Sequence, residues 1–298
     1  MTDPLPAAEA VSRVEIEGLP VFRRGKVRDT FDLGDRLLMV ATDRLSAFDC
    51  VLPDPIPGRG RVLTQMSRFW FAKTSRLVPN HLLGDDLSVI PAALRPRLEG
   101  RMMFCRKAQR IDVECVVRAR LAGSGWEEYQ RAGTLAGEAI PEGLAFGAVL
   151  PELRFTPATK SDTGHDQNIS RAELAGLVGP ALAESLEENS LRLFRFAADL
   201  CLAAGIWLVD TKFEFGLVGG RLTLIDELLT PDSSRMWLTT EPISSSTSLG
   251  FDKQLVRDHL LGSGWDRRPP APHLPPELVR EVQRRYQEVQ ERITKFAS

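Results

Sequence analysis

Apolar and polar positions change in short blocks over the first third of the chain. Lys26-Val-Arg-Asp-Thr-Phe-Asp-Leu33 partly alternates, Gly34-Asp35 is a turn signal, and Arg36-Leu-Leu-Met-Val-Ala41 runs apolar. That order predicts an antiparallel hairpin. Gln65 to Leu77 then carries Met66, Phe69, Trp70 and Lys73 at helical spacing. Arg101 to Val117 holds two β-prone apolar stretches split by the polar Arg106-Lys-Ala-Gln-Arg110, and a domain junction is expected there. The expected division is a β-rich front lobe over 1–110 and an α+β lobe over 111–298.

The second half mixes the two periodicities. Ser170-Arg-Ala-Glu173 has capping-box spacing and opens a helix that Gly179-Pro180 should stop. A longer helix follows from about Ala181 to Ala204, with Leu182, Leu186, Leu193, Ala197 and Cys201 on or near one face. Ile206 to Leu229 reads as a β-hairpin around Gly219-Gly220, and Arg267-Arg-Pro-Pro-Ala-Pro as a linker. The last helix carries Leu278, Val282, Tyr286, Val289 and Ile293 as one stripe, so it should dock by a single face. The pattern as a whole is α+β.

Composition narrows the function classes. The 298 residues are 43% hydrophobic and 26% charged, ordinary for a globular chain. Thirty-eight basic against 40 acidic residues leave a formal charge of -2, so no overall field draws nucleic acid or an anionic membrane. An anionic ligand must be held by local clusters. Met1 to Ala10 lacks the basic and apolar regions of a signal peptide, and no apolar run approaches the roughly 20 residues of a membrane span. Cys50, Cys105, Cys115 and Cys201 form no C-x-x-C pair. Buried free thiols and a reducing, cytoplasmic setting are expected.

Candidate chemistry concentrates in Leu208-Val-Asp-Thr-Lys-Phe-Glu-Phe-Gly216. In a strand, Asp210, Lys212 and Glu214 share one face, while Val209, Thr211, Phe213 and Phe215 share the other. Such a row is either the solvated face of a surface hairpin or one wall of a metal-nucleotide site. Asp226 lies inside an apolar run on the partner strand, where a lone carboxylate is costly without a cation. A two-residue turn at Gly219-Gly220 would set Phe213 opposite Asp226. A three-residue loop with a glycine bulge would set Glu214 there instead, and that second register is the one expected, because it pairs two carboxylates able to share Mg²⁺.

Other segments add possible anion sites. Arg118 and Arg120 lead into Gly123-Ser-Gly125, and Ser124-Gly-Trp-Glu127 has capping-box spacing at a helix start. Arg23-Arg-Gly-Lys-Val-Arg-Asp29 could cover nucleotide phosphates somewhat as a kinase glycine-rich loop does. Thr42-Asp-Arg-Leu-Ser-Ala-Phe-Asp49 is typical of a loop at a site mouth. The polar stretch with Lys160, His165 and Asp166 and the segment Pro231-Asp-Ser-Ser-Arg235 complete the set.

Together these segments resemble the SAICAR synthetase family. The residues that carry the resemblance are Gly25-Lys-Val-Arg-Asp29, Asp43-Arg-Leu-Ser-Ala-Phe-Asp49 and Val113-Glu-Cys-Val-Val-Arg118 with Gly123-Ser124. Further on come Thr159-Lys160 with His165-Asp-Gln-Asn-Ile-Ser170, Asp210-Thr-Lys-Phe-Glu-Phe-Gly216 and Ile225-Asp-Glu-Leu-Leu-Thr-Pro-Asp-Ser-Ser-Arg235. They occur in family order over residues 22 to 252.

The resemblance implies a kinase-like, antiparallel nucleotide lobe on a larger α+β lobe, with ATP between them. It implies that carboxyaminoimidazole ribotide (CAIR), L-aspartate and ATP give SAICAR, ADP and phosphate. Lys26, Arg28, Lys107 and Glu114 are then expected at ATP, and Glu214 and Asp226 at Mg²⁺. Asp49, Arg118, Ser124, Lys160, Asp232, Ser233 and Arg235 are expected at the other substrates, with Lys212 and Asp210 catalytic. The implied partners are these small molecules alone, on a monomer or small homo-oligomer. The polar loop departs from the family pattern around Asp162 and His165, which receive no role. An inositol-phosphate-type kinase or a non-catalytic nucleotide-binding module would share the nucleotide lobe.

Overall fold

The computed structural model describes residues 10–160, 167–240, 250–251 and 253–296. Asp162, His165 and Asp166 lie outside the described residues.

The chain first builds a four-stranded antiparallel sheet in spatial order β1 (Val21–Arg24), β2 (Arg28–Asp32), β3 (Arg36–Ala41) and β4 (Met102–Arg106). The predicted hairpin is β2–β3, with Arg28 opposite Ala41 and Asp32 opposite Leu37. Between β3 and β4 runs helix α1 (Arg59–Thr74), which buries Met66, Trp70 and Phe71. It starts six residues before the predicted helix: the polar Arg59-Gly-Arg61 hides the apolar phase of its first turn, although Arg59 and Gly60 are themselves buried.

The larger sheet has seven strands. β5 (Gln109–Arg120) leads into helix α2 (Gly123–Ala132), and β6 (Val149–Phe155), β7 (Ala158–Thr159) and β8 (Gln167–Asn168) follow. Helices α3 (Arg171–Val178) and α4 (Pro180–Ala203) come next, then β9 (Ile206–Val218), β10 (Arg221–Ile225) and β11 (Ser234–Leu238). The path across the sheet is β8-β7-β5-β9-β10, with β6 pairing β5 and β11 pairing β9. The capping box that opens α3 is present, Ser170 and Glu173 exchanging both bonds, and Gly179 ends the helix.

Helices α5 (Gln254–Gly262) and α6 (Pro276–Phe296) close the chain. α6 buries Val282, Tyr286, Val289 and Ile293, the predicted stripe, with Leu278 partly buried. Its dependence on one face is expected of a helix whose stability comes from packing rather than propensity. The largest apolar core is continuous from Leu45 and Trp70 through Cys115 and Phe213 to Ile293, so both sheets rest on shared packing. All four cysteines are free and buried. Among the described residues, no helix is long and apolar enough to cross a membrane.

Candidate active site

Strand β9 supplies the backbone of the site, and its irregularities decide what faces where. Leu208 sits opposite Met236 of β11 but Asp210 sits opposite Arg235, so one extra residue is accommodated on β9. Such a bulge breaks the two-residue alternation. Val209, expected beside Thr211, Phe213 and Phe215, instead packs with Ala122 and Trp237, while Phe213 and Phe215 enter the main core. Lys212 and Glu214 face the cleft, and Asp210 meets Arg118 and Arg235.

The expected hairpin register is corrected. Val218 pairs Arg221 across a two-residue turn, and Glu214 lies opposite Ile225, not Asp226. Gly219 and Gly220 have φ of 57° and 78°, the doubly left-handed turn whose twist matches the strands. Asp226 reaches the site by another route. It has left β10 and takes φ of 68°, unusual for a residue with a side chain. Its carboxylate accepts a hydrogen bond from Arg28 Nη2 of β2 at 2.7 Å. Local strain of this kind, roughly 1–3 kcal/mol, persists only where surrounding contacts enforce it.

A cleft of about 850 Å³ lies between the two sheets. One wall is the β1–β2 turn with Gly25, Lys26 and Arg28, and the opposite wall carries Glu114, Lys160, Lys212, Glu214, Asp226 and Glu227. Gly25 N donates to Arg28 O at 2.8 Å, which closes the turn tightly. Glu114 and Glu214 stand directly opposite each other on β5 and β9. Two such carboxylates repel unless bridged. Lys212 Nζ is the bridge, 2.5 Å from Glu114 Oε1 and 3.3 Å from Glu214 Oε1, and Lys160 also pairs with Glu214.

These pairings set the charge states. Burial works against the Lys212 ammonium, but Glu214 and Glu114 outweigh it and hold the lysine protonated far above its ordinary range. Burial likewise opposes ionisation of Asp226, yet Arg28, Lys160 and Lys212 hold its carboxyl below the usual value. Glu227 next to it goes the other way, raised mainly by burial. The donor set suits Mg²⁺: hard carboxylate oxygens from Glu214 and Asp226 face the cleft, and Mg²⁺ needs only one or two of them beside phosphate oxygens and water. Among the described residues no three ligating side chains converge as a ready-made metal cage.

A second charged cluster forms at the other end of the β9 row. Arg118 Nη1 donates to Asp210 Oδ2 at 3.0 Å, Arg118 Nε to Thr156 Oγ1 at 2.9 Å, and Arg118 Nη2 to Ser124 Oγ at 2.9 Å. Arg235 Nη1 reaches the same Asp210 oxygen at 2.7 Å. The predicted capping box at Ser124 is absent: the residue preceding α2 is Ala122, which gives no side-chain cap. Ser124 lies inside the first turn and meets Arg118 instead. Gly123 has φ of 54°, and a Cβ on it would lie 2.1 Å from Arg235 Nη2. This glycine makes room for the guanidinium. Open N–H groups of α2 beside two arginines are an arrangement suited to a phosphate monoester.

The remaining expected residues divide. Lys26 pairs with Asp49 on the cleft wall, and both Phe48 and Asp49 take left-handed φ values, 49° and 62°. Asp232 also lines the cleft. Lys107 is not brought there; its ammonium is 2.7 Å from Asp32 at the end of β2. Ser233 turns inward, its hydroxyl accepting from Thr230 N at 3.2 Å. Arg120 stacks 4.7 Å over Trp207. In the 42–49 loop, Asp43 is fully buried against Arg101 and the Val11 and Gly60 amides, a structural role.

Arg23, expected only as part of its basic segment, lines the cleft, and sequence reading missed Glu227, Lys253 and Arg257, which line it too. Glu227 was visible as the second acid of Asp226-Glu227. Lys253 and Arg257 gave no signal, because a single lysine and arginine near an amphipathic helix look like solvated surface.

The fold and this paired-charge cleft define a class: an α+β protein with two clusters of cationic side chains, one on a carboxylate-lined cleft and one at a helix start, each suited to an anionic group. The SAICAR synthetase family profile matches residues 21–272. A phosphoribosylaminoimidazole-succinocarboxamide synthase of Elusimicrobium minutum is 48% identical over 282 residues, 93% of this chain and 97% of the relative. A SAICAR synthase from Saccharomyces cerevisiae, solved in complex with SAICAR, superposes with a TM-score of 0.86 at 36% identity, over 96% of this chain and 98% of that one. A SAICAR synthetase solved in complex with ADP gives a TM-score of 0.67 at 25% identity, covering 92% of this chain and 97% of that one. The chain belongs to the SAICAR synthetase family, the ATP-dependent carbon–nitrogen ligases of purine biosynthesis. These relatives support neither the kinase nor the non-catalytic module.

Proposed function

We propose that the two charged clusters of β9 divide the substrates of the ligase reaction between them. The cleft end takes ATP, with Lys26 and Arg28 at its phosphates and Glu114 beside them. Glu214 and Asp226 would hold Mg²⁺, which when bound screens the phosphate charge. The other end takes the ribotide phosphate of CAIR on Arg118, Ser124 and Arg235, with Asp210 orienting both arginines. Residues 1–110 then serve as the nucleotide lobe and 111–298 as the substrate and metal lobe. The ADP-bound and SAICAR-bound relatives support the two kinds of small molecule that this division assigns. The setting is the cytoplasm, with no partner beyond the small molecules.

The chemistry follows from the poor leaving group of a carboxylate. Transfer of the γ-phosphoryl of ATP to the CAIR carboxylate oxygen gives an acyl phosphate and ADP. The L-aspartate amine then attacks the acyl carbon, the C–O bond to phosphate breaks, and the amine proton is lost, giving the amide and inorganic phosphate. Such transfer needs positioning and cations more than a protein nucleophile. Lys212 sits between Glu114 and Glu214 and is the ammonium placed to follow the moving charge; Lys160 on Glu214 is a second.

One observation carries the reading: Asp210, Lys212 and Glu214 on a single strand connect the arginine cluster to the carboxylate-lined cleft. ADP release, followed with ATP, Mg²⁺, CAIR and L-aspartate and with each omitted in turn, tests it. The wild type should need all four. Asp226→Asn, which removes one metal-binding oxygen charge and leaves Arg28 with Glu227 as its remaining carboxylate, should lower kcat by at least about 100-fold. Full release without aspartate, or near-normal turnover in Asp226→Asn, overturns the assignment.

A further inference from the structure

Four separated stretches of chain meet at Asp232. Its Oδ2 faces Arg59, the first residue of α1, and Lys253 Nζ at 2.7 Å, just ahead of α5. Its Oδ1 accepts the Tyr286 hydroxyl of α6 at 2.8 Å. The Arg59 guanidinium also lies 5.8 Å from the Tyr286 ring centre, and Arg59 Nη1 donates to Arg44 O at 2.5 Å. Arg59 and Tyr286 are each 1% exposed. Asp232 and Lys253 line the cleft, whereas Arg59 and Tyr286 stand behind it.

A helix that docks only by its apolar stripe has no need of a phenol at this position. Phenylalanine would fill the same space without a hydroxyl to satisfy, and a buried hydroxyl without a partner is costly. The hydroxyl is aimed instead at a carboxylate that already meets two cations. A carboxylate held by donors on both oxygens cannot rotate, and its ion-pair partner is thereby fixed as well.

We propose that Tyr286 is a positioning residue for the cleft: through Asp232 it sets the place of the Lys253 ammonium on the cleft wall. The last helix is thus part of the site's support rather than a peripheral clamp. The inference rests on the assignment of this cleft as the place of reaction. Burial opposes the charge on Asp232, but Arg59 and Lys253 outweigh it and keep the carboxyl ionised, while burial draws the Lys253 ammonium below its ordinary value against the pull of Asp232.

Tyr286→Phe removes only the hydroxyl, and Val289→Ala in the same stripe serves as a packing control. Amine acetylation read by mass spectrometry reports Lys253 relative to Lys212 and needs no turnover. ADP-release kinetics with kcat and KM resolved for each substrate report the consequence. In Tyr286→Phe the Lys253:Lys212 labelling ratio should rise several-fold and kcat/KM should fall about tenfold, as for one lost hydrogen bond to a charged group. Val289→Ala should lower Tm with the labelling ratio unchanged.

An unchanged ratio in Tyr286→Phe overturns the proposal, and so does an equal rise in Val289→Ala. A raised ratio with unaltered kinetics also overturns it, since Lys253 would then be placed to no effect. A raised ratio in a protein whose wild type releases no ADP would leave the Asp232 network standing and remove the assigned reaction instead.

Discussion

The two ends of the β9 row solve the same problem, burying anion-binding charge, by opposite means. At the Asp210 end a single carboxylate serves two arginines, and Arg118 directs its donors to four fixed acceptors: Asp210, Thr156, Ser124 and the Ala122 carbonyl. Its side chain is 3% exposed. At the Glu214 end several carboxylates meet lysines, and the Lys212 side chain is 31% exposed. A guanidinium in a fixed fork suits a phosphate that stays put through the reaction. A compact ammonium on a flexible stem suits a phosphoryl group that moves. On the proposed division of substrates, the Asp210 end is the template and the Glu214 end the workplace.

Replacing the fork with a point charge should break the template end most severely. Arg118→Lys keeps the charge but cannot serve Asp210, Thr156 and Ser124 together. We expect kcat/KM for CAIR to fall about 100-fold, the equivalent of roughly 2–3 kcal/mol for a charged, buried hydrogen-bond set, with KM for ATP little changed. Steady-state kinetics varying CAIR and ATP separately would check this. Comparable losses for both substrates would erase the distinction between the two ends.

A subtler change sharpens the same end without touching a charge. Gly123→Ala places a methyl where Arg235 now lies, 2.1 Å from Nη2, and does so at φ of 54°. The guanidinium must move, and the α2 start is strained as well, at a cost of about 1 kcal/mol or more. About a tenfold rise in KM for CAIR is expected, with ADP affinity measured by calorimetry unaltered. A KM change shared equally by ATP would mean that the glycine serves the whole sheet rather than Arg235.

Much of this was legible in the sequence, and most of the failures share a cause. The β2–β3 hairpin, the capping box of α3, and the stripe of α6 are local patterns, and each emerged where the periodicity put it. The grouping of candidates was legible in part, since Lys212, Glu214 and Asp226 meet on the cleft while Arg118 and Arg235 meet on Asp210 in a separate cluster. Their arrangement was not. The bulge at Asp210 shifts Val209 to another cluster, and only pairing with β11 reveals it. Asp226 enters the cleft by a left-handed turn enforced from β2, a contact 198 residues away in the chain. Ser124 has capping-box spacing but is claimed by Arg118. These are cases of tertiary partners overriding a local rule, whereas the hairpin register is the reverse, the local two-residue Gly219-Gly220 turn holding where a longer loop was expected.

The smallest expected effect belongs to the workplace end and is the one that most directly tests the contrast. Lys160 pairs with Glu214 as a single charge, without a fork of fixed acceptors. Lys160→Arg preserves that charge and adds a bulkier, flat head. If the lysines of this end act as point charges, the substitution should cost only about threefold in kcat, well under 1 kcal/mol, and leave KM for CAIR unchanged. Lys160→Met, which removes the charge, should cost much more, because Glu214 then depends on Lys212 alone among these two lysines. The measurement is kcat for the pair of variants under saturating substrates. Should Lys160→Arg lose as much as Arg118→Lys, the Glu214 end would also be a template, and the division of labour along β9 would have to be given up.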